Sequence, residues 1–304
     1  MSRRIRIGTR GSQLALWQAN EAARLLTVAG YEPEIVRITT TGDRRQDVSL
    51  AEVGGKGLFI KEIEEALDRN AIDIAVHSLK DIPSILPERY VLGAFLERAD
   101  PRDAWFHPAG IPIGQLPAGA TIGTSAPRRR AQLMSQHPQL LIEPIRGNVN
   151  TRIDKARGGD FDGIVLAAAG LTRLGRTGEI TSFFSVDEMI PAAGQGIIAI
   201  ETRAGDREAL EAASAVSHAP SALAAGIERG VLQRFGTQLD CYSAVAVHAT
   251  SDADGITVRS FFSDYEATRS ITATHRDRDP GRVITAVYDE LVARGAMELL
   301  LARR

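Results

Sequence analysis

The chain has 304 residues, which is enough for two or three domains, and 44% of them are hydrophobic, as is ordinary for a protein with a packed core. A net charge of -2 and a pI of about 6.3 argue against a non-specific nucleic-acid binder, because such proteins carry an excess of basic residues. The single cysteine, Cys241, excludes an internal disulfide and a cysteine-rich zinc site.

The first third of the chain alternates strands and helices. Apolar spacing predicts strands at Ile5–Gly8, Glu34–Ile38 and Ile72–Val76, and helices at Gln13–Val28 and Gly57–Asn70. Such alternation is typical of a largely parallel sheet that is covered by helices. Ligands of these sheets usually bind beyond the carboxyl ends of the strands.

The same alternation restarts after a proline-dotted region, in which we expect a crossing between domains near Glu97–Asp103. The pattern predicts strands at Thr121–Gly123, Leu140–Pro144 and Gly163–Ala167. It predicts helices at Pro127–Gln136 and Val149–Arg157. Two similar units in tandem suggest two α/β lobes that face a cleft.

The pattern changes towards the C-terminus. A strand at Ile197–Glu201 is followed by helices at Asp206–Ser214 and His218–Phe235. Beyond them, three alternating segments suit an antiparallel sheet, and an amphipathic helix follows: Ala244–Ala249, Thr257–Phe262, Arg269–Thr274 and Pro280–Arg294. The predicted fold class is therefore α/β, with two lobes around a cleft and a small C-terminal α+β domain.

No apolar core of a signal peptide follows the first arginines, and no apolar run approaches the ~20 residues that span a bilayer. We therefore expect a cytoplasmic protein. The histidines are scattered, so no spacing predicts a metal site.

The strongest local cluster is the run His77–Pro83, which directly follows a predicted buried strand. Lys80 and Asp81 are adjacent there, and a carboxylate in this position could transfer protons or stabilise a developing cation. The alternative is a helix start at which Ser78 and Asp81 satisfy backbone amides. Spacing alone does not separate these interpretations.

The glycine turn at 53–57 is likewise either an anion site or a plain turn.

Arginine dominates the basic residues, because only four of the 36 are lysines. A genome rich in G and C would explain this bias, so the positions of the arginines matter more than their number. Arginine follows three predicted strands, in the turns 10–12, 123–130 and 146–152. Three such turns favour a polyanionic ligand, which could be a polycarboxylate or a polyphosphate. Cys241 alone would be a small buried hydrophobe more often than a nucleophile.

Eight segments in this order resemble the porphobilinogen deaminase (hydroxymethylbilane synthase) family. The matching segments are GTRGSQLALWQ at 8–18, VGGKGLFIKE at 53–62, DIAVHSLKDIP at 73–83, ERADPRDA at 97–104, GTSAPRRRAQL at 123–133, IRGNVNTR at 145–152, AAAGLTRLG at 167–175 and PAAGQGIIAIE at 191–201. The resemblance runs from about residue 4 to residue 235 and is weaker beyond it.

This resemblance implies a transferase of tetrapyrrole (porphyrin and haem) biosynthesis. It implies an enzyme that deaminates porphobilinogen and joins four units head to tail, and then releases linear hydroxymethylbilane. It also implies a dipyrromethane cofactor that is bound to Cys241 through a thioether. Each pyrrole carries an acetate and a propionate, which accounts for the arginine-bearing turns. The family is usually monomeric, so we expect a monomer that binds a small substrate but neither nucleic acid nor membrane.

The resemblance also assigns roles to single residues. Asp81 matches the catalytic aspartate. The residues that match cofactor-binding positions are Cys241, Lys80, Arg10, Ser12, Ser125, Arg128, Arg129, Arg146 and Arg152. The residues that match substrate-binding positions are Arg10, Phe59, Arg146, Arg152 and Gln195. No metal ligand is implied.

The family further implies two lobes that resemble periplasmic receptors. We expect residues 1–98 and 197–216 in the first lobe, 99–196 in the second, and 217–304 in the C-terminal domain that carries the cofactor cysteine. The sequence departs from the family where Leu239 and Asp240 replace a glycine run before Cys241, and where Ala126 replaces a serine. These changes predict a different path of the cofactor loop. A ligand-binding module and an inactive relative remain alternatives.

Overall fold

A computed structural model describes residues 3–40, 60–239 and 243–301. Its contacts divide the chain into two compact units. The first comprises Met1–Ala99 and Gly196–Gly226, and the second comprises Asp100–Gln195 and Ile227–Arg304. Each unit is therefore built from two separate stretches of the chain.

The described residues form thirteen strands and nine helices of the α type. The strands are β1 (Arg3–Arg10), β2 (Tyr31–Ile38), β3 (Ile74–Ser78), β4 (Tyr90–Phe95), β5 (Asp103–Phe106), β6 (Thr121–Gly123), β7 (Leu141–Glu143), β8 (Gly163–Ala167), β9 (Ser182–Phe183), β10 (Ile198–Arg203), β11 (Ala244–Asp252), β12 (Gly255–Ser263) and β13 (Ser270–Asp277). The helices are α1 (Gln13–Val28), α2 (Lys61–Asp68), α3 (Pro127–Gln136), α4 (Val149–Arg157), α5 (Ala168–Arg173), α6 (Arg207–Ser214), α7 (Ala219–Arg234), α8 (Pro280–Ala293) and α9 (Ala296–Leu301).

The first unit contains a five-stranded sheet in the order β2-β1-β3-β10-β4. Strand β1 runs parallel to β2 and β3, whereas β10 runs antiparallel to β3 and β4. Apolar side chains of β1, β3 and β10 pack against helices α1 and α6, with Ile5, Ile7, Leu26 and Ile200 fully buried. The hydrophobic spacing of these segments thus forms one continuous core.

The second unit contains a five-stranded sheet with the same pattern, in the order β7-β6-β8-β5-β9. Strand β6 is parallel to β7 and β8, and β5 is antiparallel to β8 and β9. In each sheet four of the five strands run in one direction, in agreement with the predicted largely parallel sheets. One strand, β10 in the first unit and β5 in the second, runs against the others. Strand β5 lies between Pro101 and Pro108, in the proline-dotted stretch, where a short apolar run is not distinguishable from a loop by spacing.

The second unit also contains the antiparallel sheet β11-β12-β13. Neighbouring residues of a strand point to opposite faces of the sheet, and both faces of β12 are covered. Phe262 contacts Phe235, with ring centroids 4.8 Å apart, on one face. Phe261 belongs to a cluster with Ala131 of α3 and Ile190 on the other face. The predicted α/β fold class, with two lobes and an additional antiparallel sheet, is confirmed.

Several predicted elements agree with the structure to the residue. Helices α1, α3 and α4 begin and end where the sequence pattern places them. The helix predicted at Gly57–Asn70 is described from Lys61 to Asp68, with Ile60 as its N-cap, and residues 57–59 of the prediction lie outside the described residues. No helix of the described residues is long and apolar enough to cross a membrane.

Candidate active site

The turns after β1 and β3 lie at one edge of the first sheet. These two parallel strands are in register at Ile7 with Ile74 and at Gly8 with Ala75, so their carboxyl ends meet the same edge. Gln18 of α1, which is buried, donates from Nε2 to Oγ of Ser78 at 2.7 Å. This hydrogen bond joins the helix after β1 to the last residue of β3.

Ser12 satisfies the start of helix α1. Its Oγ accepts a hydrogen bond from the backbone N–H of Ala15 at 3.3 Å, as serine commonly does at an N-cap. Arg10, the last residue of β1, is half-buried. The turn 10–12 therefore combines a structural hydroxyl with an arginine at the edge of the sheet.

Asp81 lies in a single 3-10 turn, Leu79–Asp81, that follows β3. Leu79 and Ile82 are buried on either side, Lys80 is half-buried and Asp81 is exposed. The backbone N–H of Leu79 donates to the carbonyl of Ile197 at 3.0 Å, which holds the turn against β10. The apolar residues thus fix the turn and leave a carboxylate at the surface.

A buried pair lies directly below this turn. His77 Nε2 is 3.0 Å from Glu201 Oε2 of β10, and both side chains are almost completely inaccessible to solvent. The charge of Glu201 also affects the pKa of Glu64 in α2. Burial, together with the charge of Glu201, raises the pKa of Glu64 above its ordinary value.

The turn after β6 leads into a buried polar cluster of the second unit. Asp103 Oδ2 accepts from Arg128 Nη1 at 2.6 Å, and Oδ1 accepts from Arg128 Nη2 at 3.0 Å. Arg129 donates to Asp103 Oδ1 from Nε at 2.9 Å and from Nη2 at 2.7 Å. Burial acts to raise the pKa of Asp103, but the two arginines outweigh it and hold that pKa well below its usual range.

Gln195 belongs to this cluster. Its Nε2 donates to Asp103 Oδ1 at 2.9 Å and to the carbonyl of Pro101 at 2.6 Å, while its Oε1 accepts from Arg128 Nη2 at 3.0 Å. Arg128 also donates to the carbonyl of Ile190, and Arg129 donates to that of Val165. The predicted site residues Arg128, Arg129 and Gln195 therefore all bind the carboxylate of Asp103.

The turns after β6 and β7 are also joined. Strands β6 and β7 are parallel, with Gly123 in register with Glu143, and Ser125 Oγ donates to the carbonyl of Ile145. Arg146, the next residue, and Arg152 of α4 are half-buried. Arg152 Nε donates to the carbonyl of Gly147 at 2.8 Å. Ser125, Arg146 and Arg152 thus belong to one edge of the second sheet.

Gly147 and Asn148 explain why this turn forms. Gly147 has a φ of 111°, and a Cβ there would come within 2.7 Å of Thr151. Asn148 caps helix α4, because its Oδ1 accepts from the backbone N–H of Thr151 at 3.0 Å.

The structure places the predicted residues in two groups. Arg10, Ser12, Lys80 and Asp81 lie at the edge of the first sheet. Those at the edge of the second sheet are Ser125, Arg128, Arg129, Arg146, Arg152 and Gln195. Phe59 and Cys241 lie outside the described residues.

Asp103 was not predicted as a site residue, although it lies in a segment that carries the family resemblance. The available signal was a lone acid at the start of an apolar strand, Asp103–Phe106, in an arginine-rich protein. Buried carboxylates require a partner, so such an acid indicates a buried arginine. No group of three or more potential metal ligands is found within the described ranges.

The residues present have the chemistry that a group with several carboxylates requires. The cluster contains two guanidinium groups and one carboxylate, so it carries an excess positive charge when all three are ionised. Arg146 and Arg152 add positive charge to the same edge. Arginine binds carboxylates in fixed planar geometry, which suits a ligand with acetate and propionate arms.

Comparison with known proteins identifies the family. A sequence model described as "Porphobilinogen deaminase, dipyromethane cofactor binding domain" matches residues 5–211, which is more than half of the chain. The porphobilinogen deaminase of Geobacter sulfurreducens is 45% identical over 301 residues, covering 98% of this chain and 94% of the relative. That of Halalkalibacterium halodurans is 42% identical over 302 residues, covering 98% and 96%.

Solved structures show a weaker similarity. The periplasmic substrate-binding protein of an ABC transporter from Coxiella burnetii is 15% identical with a TM-score of 0.44, covering 74% of this chain and 96% of that one. The methionine-binding protein MetQ is 13% identical with a TM-score of 0.44, covering 69% and 88%. No functional conclusion follows from a similarity of this size. The sequence matches, in contrast, span nearly the full chain, and the chain belongs to the porphobilinogen deaminase family of enzymes, the hydroxymethylbilane synthases, with a domain that binds the dipyrromethane cofactor.

Proposed function

We propose that Asp81 is the catalytic carboxylate with which this chain deaminates porphobilinogen and joins four units into hydroxymethylbilane. The observation that carries the proposal is the position of Asp81. It is an exposed carboxylate on a turn that is fixed by buried Leu79 and Ile82, beyond the carboxyl end of β3. Strand β3 lies between two other strands of its sheet, which is where α/β proteins place functional turns.

The chemistry assigned to Asp81 follows from its charge and its exposure. Loss of ammonia from the aminomethyl group of porphobilinogen leaves a cation that is delocalised over the pyrrole ring. A carboxylate close to the pyrrole N–H accepts that hydrogen bond and stabilises the positive charge as it develops. The same carboxylate can accept the proton that the pyrrole carbon loses after the new bond has formed.

The arginines at both sheet edges are proposed to hold carboxylates. Arg128 and Arg129, with Ser125 and Lys80, would hold the acetate and propionate arms of the dipyrromethane group, and Arg10 and Ser12 would assist. Arg146 and Arg152 would serve both this group and the substrate. When bound, the dipyrromethane group supplies the primer to which pyrrole units are added. Phe59 and Gln195 are proposed to contact the substrate.

Cys241 is proposed as the point of attachment through a thioether. It precedes Ala244 by three residues, so the chain limits the distance between their Cα atoms to about 11 Å. Ala244 packs in one buried cluster with Ala131 of α3, the helix that carries Arg128 and Arg129 at its start. The sequence connection therefore supports an attachment point in the same unit as these arginines.

We also propose that the enzyme is a cytoplasmic monomer without nucleic-acid partners, and that residues 217–304 form a separate C-terminal domain. The slightly negative net charge supports the absence of a nucleic-acid partner. Light scattering coupled to size-exclusion chromatography tests the oligomeric state, and a dimer mass would contradict the proposal.

Two measurements test the proposed function. Intact-protein mass spectrometry should show two linked pyrrole units on the peptide that contains Cys241. Asp81→Asn should keep the fold and reduce turnover of porphobilinogen by more than about 100-fold, because a neutral amide stabilises neither the cation nor the transferred proton. Asp68→Asn is a matched control, since Asp68 is an exposed aspartate of the same unit that pairs with Arg89 at 3.5 Å. Near-normal turnover of Asp81→Asn would remove Asp81 from this role.

A further inference from the structure

The turn after β6 contains two buried arginines that share a single carboxylate. Asp103 accepts four hydrogen bonds from Arg128 and Arg129 and a fifth from Gln195. Asp103 is completely buried, and each arginine is only 5% exposed. Ion pairs at a protein surface are mobile. Buried guanidinium groups with several fixed partners, in contrast, hold one orientation.

The charges of this cluster do not balance. Asp103 is the only carboxylate within ion-pair distance of Arg128 or Arg129 in the described part of the chain. Two guanidinium groups and one carboxylate leave one positive charge in a cluster that is almost completely buried. An uncompensated buried charge costs several kcal/mol, so an additional anion would stabilise the cluster.

The guanidinium groups also keep donors for such an anion. Arg128 donates from Nη1 and Nη2, and no described residue accepts a hydrogen bond from its Nε. Arg129 donates from Nε, Nη1 and Nη2, and each of its two Nη atoms has a second N–H. Asp103 therefore fixes both groups without using all of their hydrogen-bonding capacity.

We propose that Asp103 is a positioning residue for cofactor assembly: it fixes Arg128 and Arg129 and leaves one positive charge that a carboxylate of the dipyrromethane group neutralises. This inference rests on the proposed function, because it assumes that the chain assembles that group on Cys241. Asp103 itself touches neither cofactor nor substrate in this account. It acts through the two arginines, and Gln195 donates a further hydrogen bond to Oδ1 of the same carboxylate.

A purely structural role for Asp103 makes a different prediction. If Asp103 only stabilised the fold, its replacement would lower the unfolding temperature but would leave the folded fraction fully loaded. If Asp103 positions the arginines, folded protein would carry less cofactor. The deciding quantity is therefore the fraction of folded chains that carry the two-pyrrole addition, which intact-mass spectrometry measures without an activity assay.

The experiment compares wild type with Asp103→Asn, Asp103→Glu and Asp73→Asn after incubation with porphobilinogen. Asp73 is a matched control in the other compact unit, because it also holds arginines: Arg6 Nη2 lies 2.7 Å from it and Arg203 Nη2 lies 4.0 Å from it. Folded protein is isolated by size exclusion at low temperature and checked by circular dichroism. We expect a loaded fraction at least tenfold below wild type for Asp103→Asn, an intermediate value for Asp103→Glu, and wild-type loading for Asp73→Asn.

The outcomes separate the two proposals. Wild type without the addition would overturn the proposed function and this inference together. A loaded wild type with an equally loaded Asp103→Asn would overturn the inference alone. If Asp103→Asn yields no folded protein, Asp103→Glu decides, because it keeps the charge but moves the carboxylate by one methylene. Wild-type loading of folded Asp103→Glu would then overturn the positioning role, and a loss of at least threefold would support it.

Discussion

The two five-stranded sheets place a completely buried acid on equivalent strands. Asp103 lies on β5 and Glu201 on β10, and each of these strands runs antiparallel to the third strand of its sheet. Asp103 accepts hydrogen bonds from two arginines and a glutamine. Glu201 pairs with His77 through Oε2, and its Oε1 has no hydrogen-bond partner among the residues that the structure describes.

This difference shows how the same topology serves two purposes. In the second unit, the acid organises cations, and the excess positive charge suits the carboxylates of a ligand. In the first unit, the acid and its histidine lie below the turn that carries Lys80 and Asp81, and they hold the central strands β3 and β10 together. One buried acid thus lies among arginines, and the other lies next to the turn that is proposed to be catalytic.

The largest expected effect is that of Asp103→Ala on stability. We expect a loss of about 3–5 kcal/mol in the free energy of unfolding, because two buried guanidinium groups lose their shared carboxylate. Asp100→Ala is the control, since Asp100 pairs with Arg102 at 2.7 Å with both side chains partly exposed. Exposed pairs contribute about 1 kcal/mol or less. Urea unfolding of both variants makes the measurement, and equal losses would break the comparison between buried and exposed pairs.

A smaller effect is expected for Glu201→Gln. Glutamine can keep the hydrogen bond to His77, and it removes a buried charge of which one oxygen lacks a described partner. The free energy of unfolding should therefore stay within about 1 kcal/mol of wild type. A loss above about 3 kcal/mol in urea unfolding would show that the stability of the fold depends on the charge of Glu201 as strongly as on that of Asp103.

The smallest effect concerns Glu64 and depends on pH. Its pKa is raised by burial and then by the charge of Glu201. A raised carboxyl pKa stabilises the folded state below the unfolded pKa, and this contribution is lost as pH rises through the folded pKa. Glu64→Gln should therefore gain up to about 1 kcal/mol over wild type at pH 7 and nothing near pH 4. Thermal unfolding at both pH values makes the measurement, and a gain that is independent of pH would contradict the assignment.

The same comparison can be sharpened with a double variant. In a Glu201→Gln background, the pKa of Glu64 should fall towards its ordinary value, because one of its two leading causes is removed. The pH-dependent gain of Glu64→Gln should then become smaller. An unchanged gain would assign the whole shift to burial.

Much of the fold was predictable from local pattern. Helix α1 was predicted to the residue because its apolar residues recur at helical spacing, and in the structure Ser12 caps it. Helix α3 was also predicted to the residue, and Pro127 suits its first position. The direction of β10 was not predictable, because an apolar run looks the same whether its neighbours are parallel or antiparallel. The short β9, Ser182–Phe183, gave no pattern at all.

The candidate site likewise has features that local sequence predicted and features that it did not. Local sequence placed Asp81 after a buried strand and placed arginines after β1, β6 and β7, because turns at strand ends are read from short stretches of chain. It did not show that Arg128 and Arg129 are buried around Asp103, or that Gln195 joins them. These partners are 25 to 92 residues apart in the sequence. Hydrogen bonds over such separations exist only after the sheet has brought β5 beside β8 and placed helix α3 against them.

The sequence by itself determined the family, the order of the elements in each lobe and the type of charge that the site requires, since these depend on residue identity and local spacing. Only the tertiary structure decided which charged side chains are already paired with other groups of the protein. It separated Asp81, which is exposed, from Asp103, which is buried among cations, although both are aspartates next to apolar segments in the sequence. The physical reason is burial: an acid removed from water must find partners, and only the packed fold determines which ones it finds.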